Sequence, residues 1–72
     1  MSLPTLQQLR YFVAIADSGS FGVAADEQFV SQPALSAQIK ELERKLGVML
    51  FERTNRGVLL TTHGDEVLKR AR

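Results

Sequence analysis

Between Ser31 and Gly47 the chain reads SQPALSAQIKELERKLG, and its apolar positions Leu35, Ile39, Leu42 and Leu46 recur at i, i+4, i+7 and i+11. That spacing draws one narrow apolar stripe along a helix. The ends agree with it. Ser31 can cap the free backbone N–H groups and Pro33 is tolerated in a first turn. Lys45 stands near the negative end, and Gly47 is free to turn left-handed. Away from the stripe lie Pro33, Ser36, Ala37, Lys40 and Arg44, compact at the start of the helix and basic behind it. Such a surface can enter a groove of DNA. An amphipathic core helix with a solvated back carries the same pattern, so the flanking elements have to decide.

Upstream, Thr5 to Asp17 is expected as a first helix, with Thr5 and Gln8 spaced as a capping box. Leu6, Leu9, Val13 and Ala16 keep one face apolar, and Phe12 and Ile15 widen it. Ser18-Gly19 ends this helix and Ser20 can cap a short second one over Phe21 to Glu27, where Ala24 and Ala25 allow close approach of a neighbour. Gln28-Phe29-Val30 is then a turn. Two helices joined in this way, the second presenting a polar N-terminal half, make a helix-turn-helix.

Downstream the period changes. Val48 to Glu52 and Val58 to Leu60 are short apolar runs on either side of Thr54-Asn55-Arg56-Gly57, which reads as a hairpin with Arg56 near its tip. Thr61 or Thr62 caps a fourth helix with Asp65 and Glu66 in its first turn and Val67, Leu68 and Ala71 as an apolar stripe. No stop signal precedes Arg72, so the sequence reads as cut inside a longer helix. The expected fold is mainly α: a winged helix-turn-helix, with a three-helix core and a two-stranded β wing, followed by the start of a long linker helix. Residues 1–61 form the winged domain and 62–72 the beginning of the linker.

Composition narrows the function. At 72 residues the chain is a single small domain of modest stability. It has no cysteine, which excludes disulfides and thiolate chemistry within it. The longest apolar run, Tyr11 to Ala16, is too short to span a membrane, and no secretory signal is seen, so a cytoplasmic location is expected. Net charge is only +1, yet it is unevenly placed: residues 1–36 carry −2 and residues 37–72 carry +3. The positive half begins inside the third helix, as a basic face toward DNA requires.

Enzyme chemistry finds little here. His63 is the only histidine and stands at a helix start, where capping or solvation explains it. There is no Gly-rich phosphate loop, and no metal or cofactor is expected in this segment. DNA recognition is better supplied. The N-terminus of the third helix attracts a phosphate. Gln32 can hydrogen-bond adenine in bidentate fashion, and Ser36 can reach a base edge or phosphate. Pro33, Ala34 and Ala37 are small enough to let the helix sit deep and touch a thymine methyl. Lys40 and Arg44 suit flanking phosphates, and Arg56 at the hairpin tip suits a minor groove, where a narrow A·T tract concentrates negative potential. A winged-helix module that binds an acidic protein through Lys40 and Arg44 is the alternative from another class.

The segments LQQLRYFVAIADSGSFGVAA, VSQPALSAQIKELERKLGVMLFER and LTTHG together resemble the N-terminal DNA-binding domain of LysR-type transcriptional regulators, over nearly all of the chain. LGVMLFERT is also similar to the peroxide-sensing OxyR branch. The resemblance implies a bacterial regulator two to four times longer, whose fourth helix is a dimerising linker to a C-terminal domain that senses a small-molecule or redox effector. It implies double-stranded DNA with an inverted-repeat operator as partner, a homodimer or tetramer through the linker helix, and RNA polymerase as a candidate further partner. By the same resemblance Ser31, Gln32, Pro33, Ala34, Ser36 and Lys40 fall at DNA-contacting positions of the recognition helix, Arg56 at the wing position, and Leu6, Phe12, Ala24, Ala25, Val30, Leu35, Ile39 and Leu42 in the core. Three positions depart from the pattern. Ala37 stands where many members carry an arginine, Gly22-Val23 replaces a pair that often includes a basic residue, and Gln28 replaces an apolar one.

Overall fold

A computed structural model describes residues 3–72, in the order α1 (Leu6–Ser18), α2 (Phe21–Glu27), α3 (Gln32–Leu46), β1 (Phe51–Thr54), β2 (Gly57–Leu60) and α4 (Thr62–Ala71). The caps are those the sequence calls for. Thr5 and Gln8 form a reciprocal capping box, Ser20 accepts from the Val23 N–H, and Ser31 accepts from the Ala34 N–H at 3.2 Å. Gly19 and Gly47 close α1 and α3 in the left-handed conformation, both at φ 71°.

The core lies where the three helices meet the first residue of the wing. Leu35, Ile39 and Leu42 of α3 are buried, with Leu46 half-buried, so the stripe read from the sequence is the buried face. They meet Phe12 and Ile15 from α1 and Ala24 and Ala25 from α2. Phe51 closes the core, its ring centroid 5.3 Å from Phe12 and 5.7 Å, edge-on, from Phe21.

The buried face of α1 is rotated from the expected one. It consists of Gln8, Tyr11, Phe12 and Ile15, whereas Leu9, Val13 and Ala16 are half-buried and Leu6 is 66% exposed, outside the core the resemblance assigned it to. The cause is Gln8. Its amide accepts from the Thr5 N–H at 3.1 Å and from Lys45 Nζ at 3.1 Å, and donates to Gln38 Oε1 at 3.2 Å. A buried amide with both its oxygen and its nitrogen hydrogen-bonded can occupy the seam between α1 and α3. Leu6, Leu9 and Val13 are thereby turned toward a groove of about 590 Å³ that reaches Gln28 and Ala71. Val30 is half-buried in the turn, where its N–H donates to the Ala25 carbonyl at 3.0 Å. Gln28 therefore leaves the helix-turn-helix intact and borders the groove.

The hairpin is shifted relative to the apolar runs. β1 pairs antiparallel with β2 in the register Phe51↔Leu60, Glu52↔Leu59, Arg53↔Val58 and Thr54↔Gly57, leaving Asn55-Arg56 as a two-residue turn. Val48 to Leu50 stay outside the strand because Leu50 is bonded elsewhere. Its N–H donates to the Glu43 carboxylate at 2.7 Å, and its carbonyl accepts from the Thr61 N–H at 3.0 Å. Thr61 also donates its hydroxyl to the Met49 carbonyl and caps α4 through the Gly64 N–H at 2.9 Å. Of the two expected acids, only Asp65 falls in the first turn of α4. Arg72 pairs with Asp17 and ties the end of α4 to α1.

Candidate nucleic-acid interface

Because Ser31 caps α3 and Leu35 faces inward, the residues between them are turned outward. Ser31, Gln32, Pro33, Ala34, Ala37 and Lys40 are exposed, and Ser36 is half-buried. The compact side chains at Pro33, Ala34, Ser36 and Ala37 leave the first two turns of α3 low enough for a duplex groove to close around them. The Ser31 hydroxyl is engaged in capping, so its own place is in holding the helix start.

Gln32 lies across Gly22, where a Cβ would meet its Oε1 at 3.5 Å, an ordinary contact. From there it borders a cleft of about 450 Å³ whose opposite wall is the wing, including Arg53, Thr54 and Arg56. The recognition helix and the wing thus open on the same side of the molecule. Arg56 is fully outward at the turn; its N–H donates to Thr54 Oγ1 at 3.2 Å, which fixes the tip while leaving the guanidinium free.

Arg44 borders the same cleft as Lys40, one helical turn on, but it is already paired. Its guanidinium forks onto Glu41, with Nε donating to the two carboxylate oxygens at 3.2 and 3.1 Å. This hydrogen bond, reinforced by the charge of Arg44 and less by Lys45, holds the Glu41 carboxyl below the usual carboxylate range; the same bond raises Arg44. Arg44 therefore reaches the surface already partly neutralised, unlike Lys40 and Arg56, which have no ion-pair partner among the described residues.

Arg53 was not singled out from the sequence. It lies two residues beyond Phe51 on the same face of β1, and that places its guanidinium 4.5 Å from the centroid of the Phe21 ring. Strand alternation alone carried this signal: an inward Phe51 puts Arg53 on the core side of the wing. His63 is exposed at the second position of α4.

The profile of the family described as bacterial regulatory helix-turn-helix protein, lysR family, matches residues 6–65, from the start of α1 into α4. The chain belongs to the LysR family. TfdT of Cupriavidus pinatubonensis (strain JMP 134 / LMG 1197), a HTH-type transcriptional regulator, is 54% identical over 67 residues, which are 93% of this chain and 29% of TfdT. The solved CbnR_DBD–DNA complex superimposes with a TM-score of 0.89 at 43% identity, over 93% of this chain and 77% of that one. The H2O2-bound C206S mutant of Corynebacterium glutamicum OxyR gives 0.95 at 46% identity, over 99% of this chain and 23% of OxyR. This LysR-family domain spans 29% of the length of TfdT and 22% of that of ClcR, another such regulator. It has the four helices and two-stranded wing of the winged helix-turn-helix expected from its pattern, and no helix among its described residues is long and apolar enough to cross a membrane.

Proposed function

We propose that the chain is the double-stranded-DNA-reading domain of a longer, cytoplasmic bacterial transcriptional regulator and performs no catalysis itself. The observation that carries this reading is the common opening of the α3 N-terminal half and the wing: low side chains on the helix, Gln32 and an unpaired Arg56 at the cleft, and an exposed, unpaired Lys40 farther along α3. The likeness to the CbnR_DBD–DNA complex supports it. In this reading α3 enters the major groove. Gln32 and Ser36 contact base edges, Pro33, Ala34 and Ala37 admit the helix and touch thymine methyls, and Ser31 holds the helix N-terminus toward a phosphate. Lys40 binds a flanking phosphate, Arg44 does so in competition with Glu41, and Arg56 enters the adjacent minor groove.

Residues 62–72 begin a linker helix through which two or four copies assemble, and the apolar groove along Leu6, Leu9 and Val13 beside Ala71 is a face such a helix would cover. Two copies then read an inverted repeat with half-sites about one helical turn apart (~34 Å). A C-terminal domain would take the small-molecule or redox effector, and RNA polymerase is a candidate partner of the assembled regulator.

The test is selection of binding sites from a random duplex pool by this chain fused to a dimerising helix, since a lone copy lacks avidity. Enrichment of an inverted repeat is the expected result. No retention of duplex at low salt would overturn the reading.

A further inference from the structure

We propose that Arg53, lying on the Phe21 ring between α3 and the wing, is a seat for one backbone phosphate of the bound duplex. The inference rests on the DNA reading above and adds a contact that neither the sequence pattern nor the recognition helix supplies. Arg53 borders two adjoining clefts. One runs toward Ser36 and Lys40 on α3, and the other toward Gln32 and Arg56. Its side chain therefore stands midway between the groove-entering helix and the wing tip, where the strand running between a major and a minor groove must pass.

Its environment leaves it short of an anion. Arg53 has no ion pair among the described residues, and its neighbours along the clefts include the cations Lys40 and Arg56. The one carboxylate on those walls, Glu43, is committed to the Leu50 N–H at 2.7 Å. The guanidinium carbon lies over the Phe21 ring, 4.5 Å from its centroid, which restrains where the group sits, and the Phe51 ring packed edge-on against Phe21 restrains the ring in turn. A planar guanidinium held in place loses little freedom when its edge N–H groups fork onto two oxygens of a phosphodiester. The second cleft, about 450 Å³, is ample for such a group.

The experiment compares this chain and its variants on one 30-base-pair duplex of random sequence across a salt series. Each phosphate neutralised contributes about 0.9 to the slope of log affinity against log salt. R53Q and R53M, the latter keeping an unbranched side chain against Phe21, are both expected to lower the slope by about one. The advantage of the wild type over either then shrinks about 3.5-fold between 50 and 200 mM salt. R53K should restore the slope while remaining weaker than the wild type, because an ammonium neither stacks nor forks. R10Q removes the same charge from α1, outside these clefts, and should leave the slope unchanged. A wild-type slope in R53Q and R53M, or an equal fall in R10Q, overturns the phosphate seat while the DNA reading stands. A wild-type chain that retains no duplex at low salt even when fused to a dimerising helix overturns both.

Discussion

Gly64 should be irreplaceable even by alanine. It occupies the third position of α4, in the turn that packs against Leu50. A Cβ built there lies 2.9 Å from Leu60 Cδ2 and 3.1 Å from the Leu50 carbonyl carbon, and closer still to the Leu50 carbonyl oxygen. Two of these three obstacles are backbone atoms, and Leu50 is pinned from both sides, by Glu43 at its N–H and Thr61 at its carbonyl. Relief must come from moving α4 or the β1 entry. Overpacking of this kind costs about 1–3 kcal/mol, and a backbone obstacle belongs at the upper end. Alanine returns at most about 1 kcal/mol of helix propensity, so G64A should destabilise by about 2 kcal/mol. For a domain of this size that lowers Tm by roughly 8–16 °C.

Gly22 supplies the control. It is also helical, but a Cβ there meets only Gln32 Oε1 at 3.5 Å and Ser20 Oγ at 3.7 Å. The same substitution, G22A, should therefore raise Tm by a few degrees through propensity alone. Thermal melts of both variants, followed by circular dichroism, check the pair. A G64A domain melting at or above the wild type would show that the contact of α4 with Leu50 does not constrain the fold.

Leu50 gives a second expectation. E43A strips a buried N–H of its acceptor and should cost about 1–3 kcal/mol in urea unfolding, whereas E43Q, which still accepts, should cost clearly less; equal losses would assign the effect to charge alone. Phe29 sits in the turn at φ 59° and 95% exposed, a conformation that asparagine adopts more readily, so F29N should stabilise the domain by about 1 kcal/mol; a lower midpoint in the same urea titration would refute it. In DNA binding, Q32A should lose about 1–3 kcal/mol of base preference at one operator position, while K40A should weaken all sequences alike and lower the salt slope by about one; a uniform loss for Q32A would remove it from base reading. Glu41 titrates below the usual carboxylate range when folded, so its pairing with Arg44 is fully present above the unfolded pKa and is lost as pH falls through the depressed folded value. E41Q should accordingly release Arg44 and tighten duplex binding a few-fold at low salt and neutral pH; unchanged affinity would mean that Arg44 does not face DNA.

What the sequence revealed depended on whether a local pattern had one solution. The α3 stripe did: Leu35, Ile39, Leu42 and Leu46 leave a single face to bury, and polar residues bracket it on both sides. In α1 two stripes overlap, Leu6-Leu9-Val13-Ala16 and Gln8-Tyr11-Phe12-Ile15. The first looks more apolar, but the second is buried, because Gln8 finds partners on α3 and in the N-terminal cap. A polar residue satisfied from across the fold cannot be recognised from its neighbours in sequence. The hairpin boundary failed for the same reason. Val48-Met49-Leu50 reads as strand, yet the acceptor for Leu50 comes from α3 and the donor to it from the α4 cap.

The interface divides along a similar line. Among residues whose role follows from helix position, Gln32, Pro33, Ala34, Ala37 and Lys40 are exposed and Ser36 is half-buried, where their spacing put them, because a capped helix with one buried stripe has only one way to face. Residues whose role depends on a neighbouring side chain were harder to read. Arg44 counted as a free cation until Glu41, three residues earlier on the same surface, was seen to hold it. Arg53 carries no signal of its own in the sequence, and its place comes from Phe21, which gives it a ring to lie over and is itself packed by Phe51. Both cases turn on pairing, which a sum of charges along the chain does not record. The basic half of the sequence carries +3, but the part of it available to a phosphate depends on which guanidinium already has a carboxylate. By that measure Arg53 and Arg56 on the wing and Lys40 on the helix, rather than Arg44, should carry the salt dependence of binding.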